Sequence, residues 1–92
     1  MKNLLRLKHG SVSGAGAVIA APGAGKEIII VDILASAAAT LKQSNGSGSV
    51  IAYIPAGSVN LRSGISVGAN VAVHSTAGNV TITYFIQEIT AV

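Results

Sequence analysis

The chain has 92 residues, half of them hydrophobic and 10% charged, with six basic and three acidic side chains and no Cys or Trp. That length holds one domain with a small core. The chemically active residues, Glu27, Asp32, Glu88, His9 and His74, are too few and too scattered for the clustered carboxylates, imidazoles and thiols of a hydrolase, a transferase or a metal centre. No catalytic residue, cofactor or metal is expected, and no disulfide framework supports the fold.

A chain this small and rich in Ala and Gly buries little area per residue. With no disulfide or metal to help, association with further copies is the remaining common way to hold it together. So little charge also leaves too few polar groups to coat a small particle, so part of the surface is expected to meet protein. No apolar run reaches the length of a membrane-spanning helix, because Pro22, Lys26, Glu27 and Asp32 interrupt the apolar first half. The chain reads as soluble.

The opening segment, Met1 to His9, starts like a signal peptide, but Arg6 and Lys8 break its apolar run. It carries the net charge of +3: Lys2, Arg6 and Lys8 lie here, while Lys26, Lys42 and Arg62 balance Glu27, Asp32 and Glu88. Residues 1–9 are therefore read as a basic N-terminal arm and residues 10–92 as the single folded domain. Such an arm suits an acidic protein surface, or is a solvated terminus with no partner. Three charges without stacking aromatics argue against nucleic acid.

Past the arm, segments near 15–21, 27–34, 37–43, 50–54, 58–62, 64–67, 70–75 and 80–90 read as about eight short strands. The run Glu27-Ile-Ile-Ile-Val-Asp-Ile-Leu34 has β-branched residues at successive positions, the pattern of a central strand covered on both faces. Residues 35–41 have helix propensity but sit among strand-like neighbours and are assigned to a strand. Val80, Ile82, Tyr84 and Ile86 alternate with Thr81, Thr83, Phe85 and Gln87, the period-two signature of a strand with one buried face. Ser44-Asn-Gly-Ser-Gly-Ser49, Pro55-Ala-Gly57 and Ala77-Gly-Asn79 supply turns, spaced as in a sandwich or jelly roll. The fold class expected is all-β, a small antiparallel β-sandwich, jelly-roll-like, with an N-terminal arm.

Motifs of chemistry are weak. Gly23-Ala-Gly25-Lys26 lacks the first Gly and the final Ser or Thr of a phosphate-binding loop and leads into a strand, so it reads as a turn launching that strand. Gly14-Ala-Gly16 reads as a close approach of backbones. His74 is expected on the polar face beside the buried Val73. Asp32 is expected to be a carboxylate paired with Lys, Arg or a backbone donor. A carbohydrate site would draw on Tyr53, Tyr84 and Phe85, the only aromatics.

Ala21-Pro-Gly-Ala-Gly-Lys26, the polar hairpin Lys42-Gln-Ser-Asn-Gly46 and the late segment Val71 to Tyr84 resemble, in texture, small jelly-roll structural proteins of tailed bacteriophage virions. That resemblance implies a capsid decoration, or cement, protein. It would be a homotrimer bound to the major capsid protein, assembled in the host cytoplasm and resident on the capsid surface. The alternatives are a phage tail or fibre-tip subunit and a carbohydrate-binding β-sandwich module. Under the decoration reading Leu4, Leu5 and Leu7 are apolar anchors of a capsid-binding arm, and Lys2, Arg6 and Lys8 supply its attraction to an acidic shell.

Overall fold

A computed structural model describes residues 7–89, apart from the side chains of Arg62 and Ser63. Lys2, Leu4, Leu5 and Arg6 lie outside the described residues. Among the described residues, eight strands form two four-stranded antiparallel sheets: β1 (Lys8–Ser13), β2 (Gly16–Ile19), β3 (Lys26–Ala35), β4 (Ala39–Gln43), β5 (Val50–Ile54), β6 (Gly57–Ala69), β7 (Val73–Ser75) and β8 (Asn79–Glu88). The sheets have the orders β1-β8-β3-β6 and β2-β7-β4-β5. No helix among the described residues is long and apolar enough to cross a membrane.

The topology is a rolled hairpin. β1 pairs with β8, β2 with β7, β3 with β6 and β4 with β5, the ladder of one long hairpin whose tip is the Gly/Ser loop at 44–49. Rolling that ladder brings β3 against β8 and β4 against β7, and these two further pairings complete the sheets. This is the jelly-roll arrangement. The shortest dimension of the body, 18 Å, suits two sheets packed roughly 10 Å apart with side chains on their outer faces.

Alternation decides what is buried. Ile28, Ile30, Ile33 and Ala35 of β3 and Val80 and Ile82 of β8 face Val18, Ile19, Leu41, Ile54 and Val73 across the sandwich, with Val67 of β6. Two of the register shifts decide which residues turn inward. The ladder shifts between Ala17 and Ile19, so the consecutive residues Val18 and Ile19 are both buried. It shifts again between Ile30 and Asp32, so Ile30 and Ile33, three apart, share the inner face. Ser75 is the one buried polar residue among those described, and its hydroxyl donates to the Ala77 carbonyl at 3.1 Å, which offsets its desolvation.

Gly10 and Gly64 are two of the glycines placed at close approaches. A Cβ on Gly10 would lie 2.5 Å from the Val18 carbonyl oxygen, where β1 and β2 turn the corner between sheets. Gly64, at φ +74°, lets the bulged part of β6 lie over Ile29, whose Cγ2 would be 2.7 Å from an added Cβ.

The structure departs from the sequence expectations at three places. Lys8 and His9, assigned to the arm, are the first residues of β1 and pair with Tyr84 and Thr83. The segments near 58–62 and 64–67 are one strand, β6, interrupted by a bulge in which residues 61–64 lie opposite Val31. β3 is central in its sheet but covered on one face only. Leu34 is 58% exposed and Ile29 and Val31 are half-buried on the outer face, because only the bulged part of β6 at Gly64 reaches over this face, beside Ile29. The β-branched run reflects two strand neighbours and a partly apolar outer face, not burial on both sides.

Within the same strand pattern, position decides cost. Leu41→Ala is expected to lower unfolding free energy by about 2–5 kcal/mol and Leu34→Ala by less than about 1 kcal/mol, read from urea unfolding. Gly10→Ala should cost about 1–3 kcal/mol by forcing β1 and β2 apart.

A candidate functional face

The outer face of the β1-β8-β3-β6 sheet is ordered in rows by the register. His9, Thr83, Asp32 and Asn60 occupy one row across all four strands, and Ser11, Thr81, Leu34 and Ser58 occupy the next. Phe85, Ile29 and Ser66 form a third, and Gln87 and Glu27 a fourth. Hydrogen bonds run along these rows, and one joins the third row to the fourth. Asn60 Nδ2 donates to Asp32 Oδ1 at 2.7 Å, and Ser11 Oγ and Thr81 Oγ1 are 3.1 Å apart. Gln87 Nε2 donates to Glu27 Oε2 at 3.2 Å, and the Ser66 hydroxyl donates to Glu27 Oε1.

Asp32 reaches this face because of the bulge at Val31. Strict alternation from Ile28 and Ile30 would send a carboxylate into the core, where it would need a charged or multiply hydrogen-bonded partner. The extra residue reverses the parity, and Asp32 emerges half-buried beside Asn60. Its partner is a side-chain amide, in place of the Lys, Arg or backbone donor anticipated from sequence. Asn60 was missed because it faces Asp32 only through the β3–β6 register, which the bulges displace.

Over these two rows lies a shallow depression of about 330 Å³, lined by Asp32, Ile33, Leu34, Ser58, Val59, Asn60, Thr81 and Thr83. Its polar groups are hydroxyls, one amide and one carboxylate, and Leu34 gives it an apolar floor. A second depression of about 400 Å³ at the edge of the body is lined by Lys8, Pro22, Lys26, Ile86 and Glu88.

The outer face of the other sheet carries Tyr53, 78% exposed, and Val50, 43% exposed, on the edge strand β5. His74 is half-buried there, between Ala17 and Lys42 in the register, and Lys42 Nζ donates to the Gly46 carbonyl at 3.1 Å. Tyr84, by contrast, packs against the core. Gly23-Ala-Gly25 is a turn that leads directly into β3, closed by the Lys26 amide donating to the Gly23 carbonyl at 3.2 Å.

These placements keep reactive groups apart. His9 and His74 belong to different sheets. His9 and Asp32 are separated by β8, roughly 10 Å at two strand spacings, too far for a carboxylate to orient the imidazole. Among the described residues no group of three His, Cys, Asp or Glu side chains could hold a metal ion. Leu7 is 63% exposed and Lys8 is exposed at the start of β1, so the described end of the proposed arm offers its side chains to solvent. No protein-family model, no curated protein and no solved structure matches this chain.

The Asp32–Asn60 pair sits at the surface, so its removal costs little. Asn60→Ala should change unfolding free energy by under about 1 kcal/mol, with the amide spectrum disturbed locally around Asp32 and Thr83.

Proposed function

We propose that this chain is a non-enzymatic structural subunit of a tailed-phage virion, a capsid decoration protein that self-associates and binds the shell to stabilise it. One observation carries the reading: a complete eight-stranded jelly roll, an architecture used by virion proteins, with its polar chemistry spread over open sheet faces. Adhesion asks only for complementary surfaces of sufficient area, about 800 Å² per partner for a stable contact, and broad sheet faces supply area.

The apolar residues left on the outer faces support self-association. Ile29, Val31 and Phe85 lie on one sheet, beside the depression at Leu34, and Val50 and Tyr53 on the other. A closed ring of copies, a homotrimer, would cover such patches without leaving an open assembly. The N-terminal segment contributes attraction: Leu4, Leu5 and Leu7 as anchors and Lys2, Arg6 and Lys8 as charges meeting an acidic capsid surface.

Two measurements test this. Native mass of the full chain at micromolar concentration is expected to be that of a trimer, and a stable monomer would remove the self-association. Deleting residues 1–7 keeps β1 from Lys8 onward and should retain the β-sheet circular dichroism spectrum. It should weaken co-sedimentation with capsid shells at least tenfold, an effect that raised salt reproduces in the full chain. Unchanged shell binding by the deletion variant would remove the arm from the proposal.

A further inference from the structure

We propose that the depression over Asp32, Leu34 and Asn60 is a carbohydrate-binding site for a neutral glycan, a function separate from shell binding. The argument starts from the chemistry of the lining. Ser58, Thr81 and Thr83 bring hydroxyls that donate or accept, and Asp32 and Asn60 form a joined carboxylate and amide at 2.7 Å. Asn60 engages one carboxylate oxygen, Oδ1, which leaves Oδ2 to accept from a ligand hydroxyl while the Asn60 carbonyl oxygen accepts from a neighbouring one. Bonds from a hydroxyl to a carboxylate are charge-assisted and among the stronger neutral-ligand contacts.

The apolar half of the recognition is Leu34. It is 58% exposed in the depression, flanked by Thr81 and Ser58 in its own row. A pyranose presents hydroxyls around its rim and C–H groups on its faces, so it covers Leu34 while its rim meets the Asp32–Asn60 row. The groups stand on paired strands of one sheet, which fixes them before the ligand arrives and limits the ordering cost of binding.

The same observations disfavour other occupants. Among the described residues, the lining holds the Asp32 carboxylate and no Lys or Arg, which disfavours an anionic ligand. A second copy docked across the depression by a two-fold axis would bring Asp32 toward its symmetry mate, desolvating like charges. β3 and β8 are paired on both sides over this stretch, so an extended peptide finds a free ladder only along the outer edge of β6 and not over Leu34.

The experiment is a two-dimensional amide NMR titration of the full chain with methyl glycosides of glucose, galactose, mannose and N-acetylglucosamine, alongside a printed glycan array. The expected result is a saturable shift of the Asp32, Leu34, Asn60 and Thr83 amides with at least one sugar. Asp32→Asn keeps the shape and removes the charge, and should weaken that binding roughly tenfold. Leu34→Ala should weaken it too, while Tyr53→Ala on the opposite sheet leaves it unchanged. Retained amide dispersion shows that each variant is folded, and the exposed Asn60→Ala variant serves if either of the others is not.

Absence of a saturable shift with every probe and of array binding overturns the site. So do shifts centred on Tyr53, equal affinity in folded Asp32→Asn, or shifts of the Asp32 row that follow protein concentration without sugar. Shell co-sedimentation of the same variants is a separate readout, so the decoration reading and the sugar site succeed or fail independently.

Discussion

The pairing of β3 with β8 is the interaction on which the rest of the structure depends. Without it the ladders of β1 with β8, β2 with β7, β3 with β6 and β4 with β5 are only a long hairpin, which buries neither face well and is marginal in water. The seam joins Lys26–Ala35 to Val80–Glu88, so Ile28, Ile30 and Ile33 come beside Val80 and Ile82 and the roll closes on a core. Loop closure over this distance in sequence is a modest cost, since it grows only with the logarithm of loop length. Register is pinned by the pleat: a slip of one residue would turn Ile28 and Ile30 to solvent.

The bulge at Val31 follows from the same seam. β3 must keep Ile28 and Ile30 inward at one end and Ile33 and Ala35 inward at the other, an odd spacing that a regular strand cannot satisfy. One extra residue resolves it and places Asp32 outside, where a carboxylate costs little. β6 answers with its own displacement at 61–64, using Gly64 at positive φ to pass over Ile29. A single local irregularity thus relieves the core of a charge and supplies the outer face with its most polar row.

Much of the fold was legible in the sequence because most of it is pattern. The alternation from Val80 to Gln87 names β8 and its buried face, the Gly/Ser loop marks the tip of the hairpin, and the turn before Lys26 launches β3. β1 was hidden because Lys8 and His9 read as arm and Ser11 and Ser13 precede the first segment with a strand pattern. Of its three inward positions, Lys8, Gly10 and Val12, only Val12 is a large apolar residue, and Gly10 is selected by backbone approach, so hydrophobic periodicity is faint there. β6 looked like two strands because its bulge inserts residues that break the alternation. The outer-face row of His9, Thr83, Asp32 and Asn60 was illegible for a stronger reason. It exists only in the register of four strands, and alternation alone predicts the wrong face for Asp32.

The two outer faces have different characters, and that difference bears on what the body does. One carries hydroxyls, Asp32–Asn60 and a stripe of Phe85 and Ile29; the other carries Tyr53, Val50, Lys42 and His74. A jelly roll holds both as rigid, roughly parallel planes about one sandwich thickness apart, so contacts made on one need not disturb the other. Self-covering can draw on one set of apolar residues while a second surface stays open to a partner. That geometric separation is set by the core side chains packed between the sheets, among them Ile28 and Ile30 on the sheet that the β3–β8 seam holds together and Leu41 and Val73 on the other.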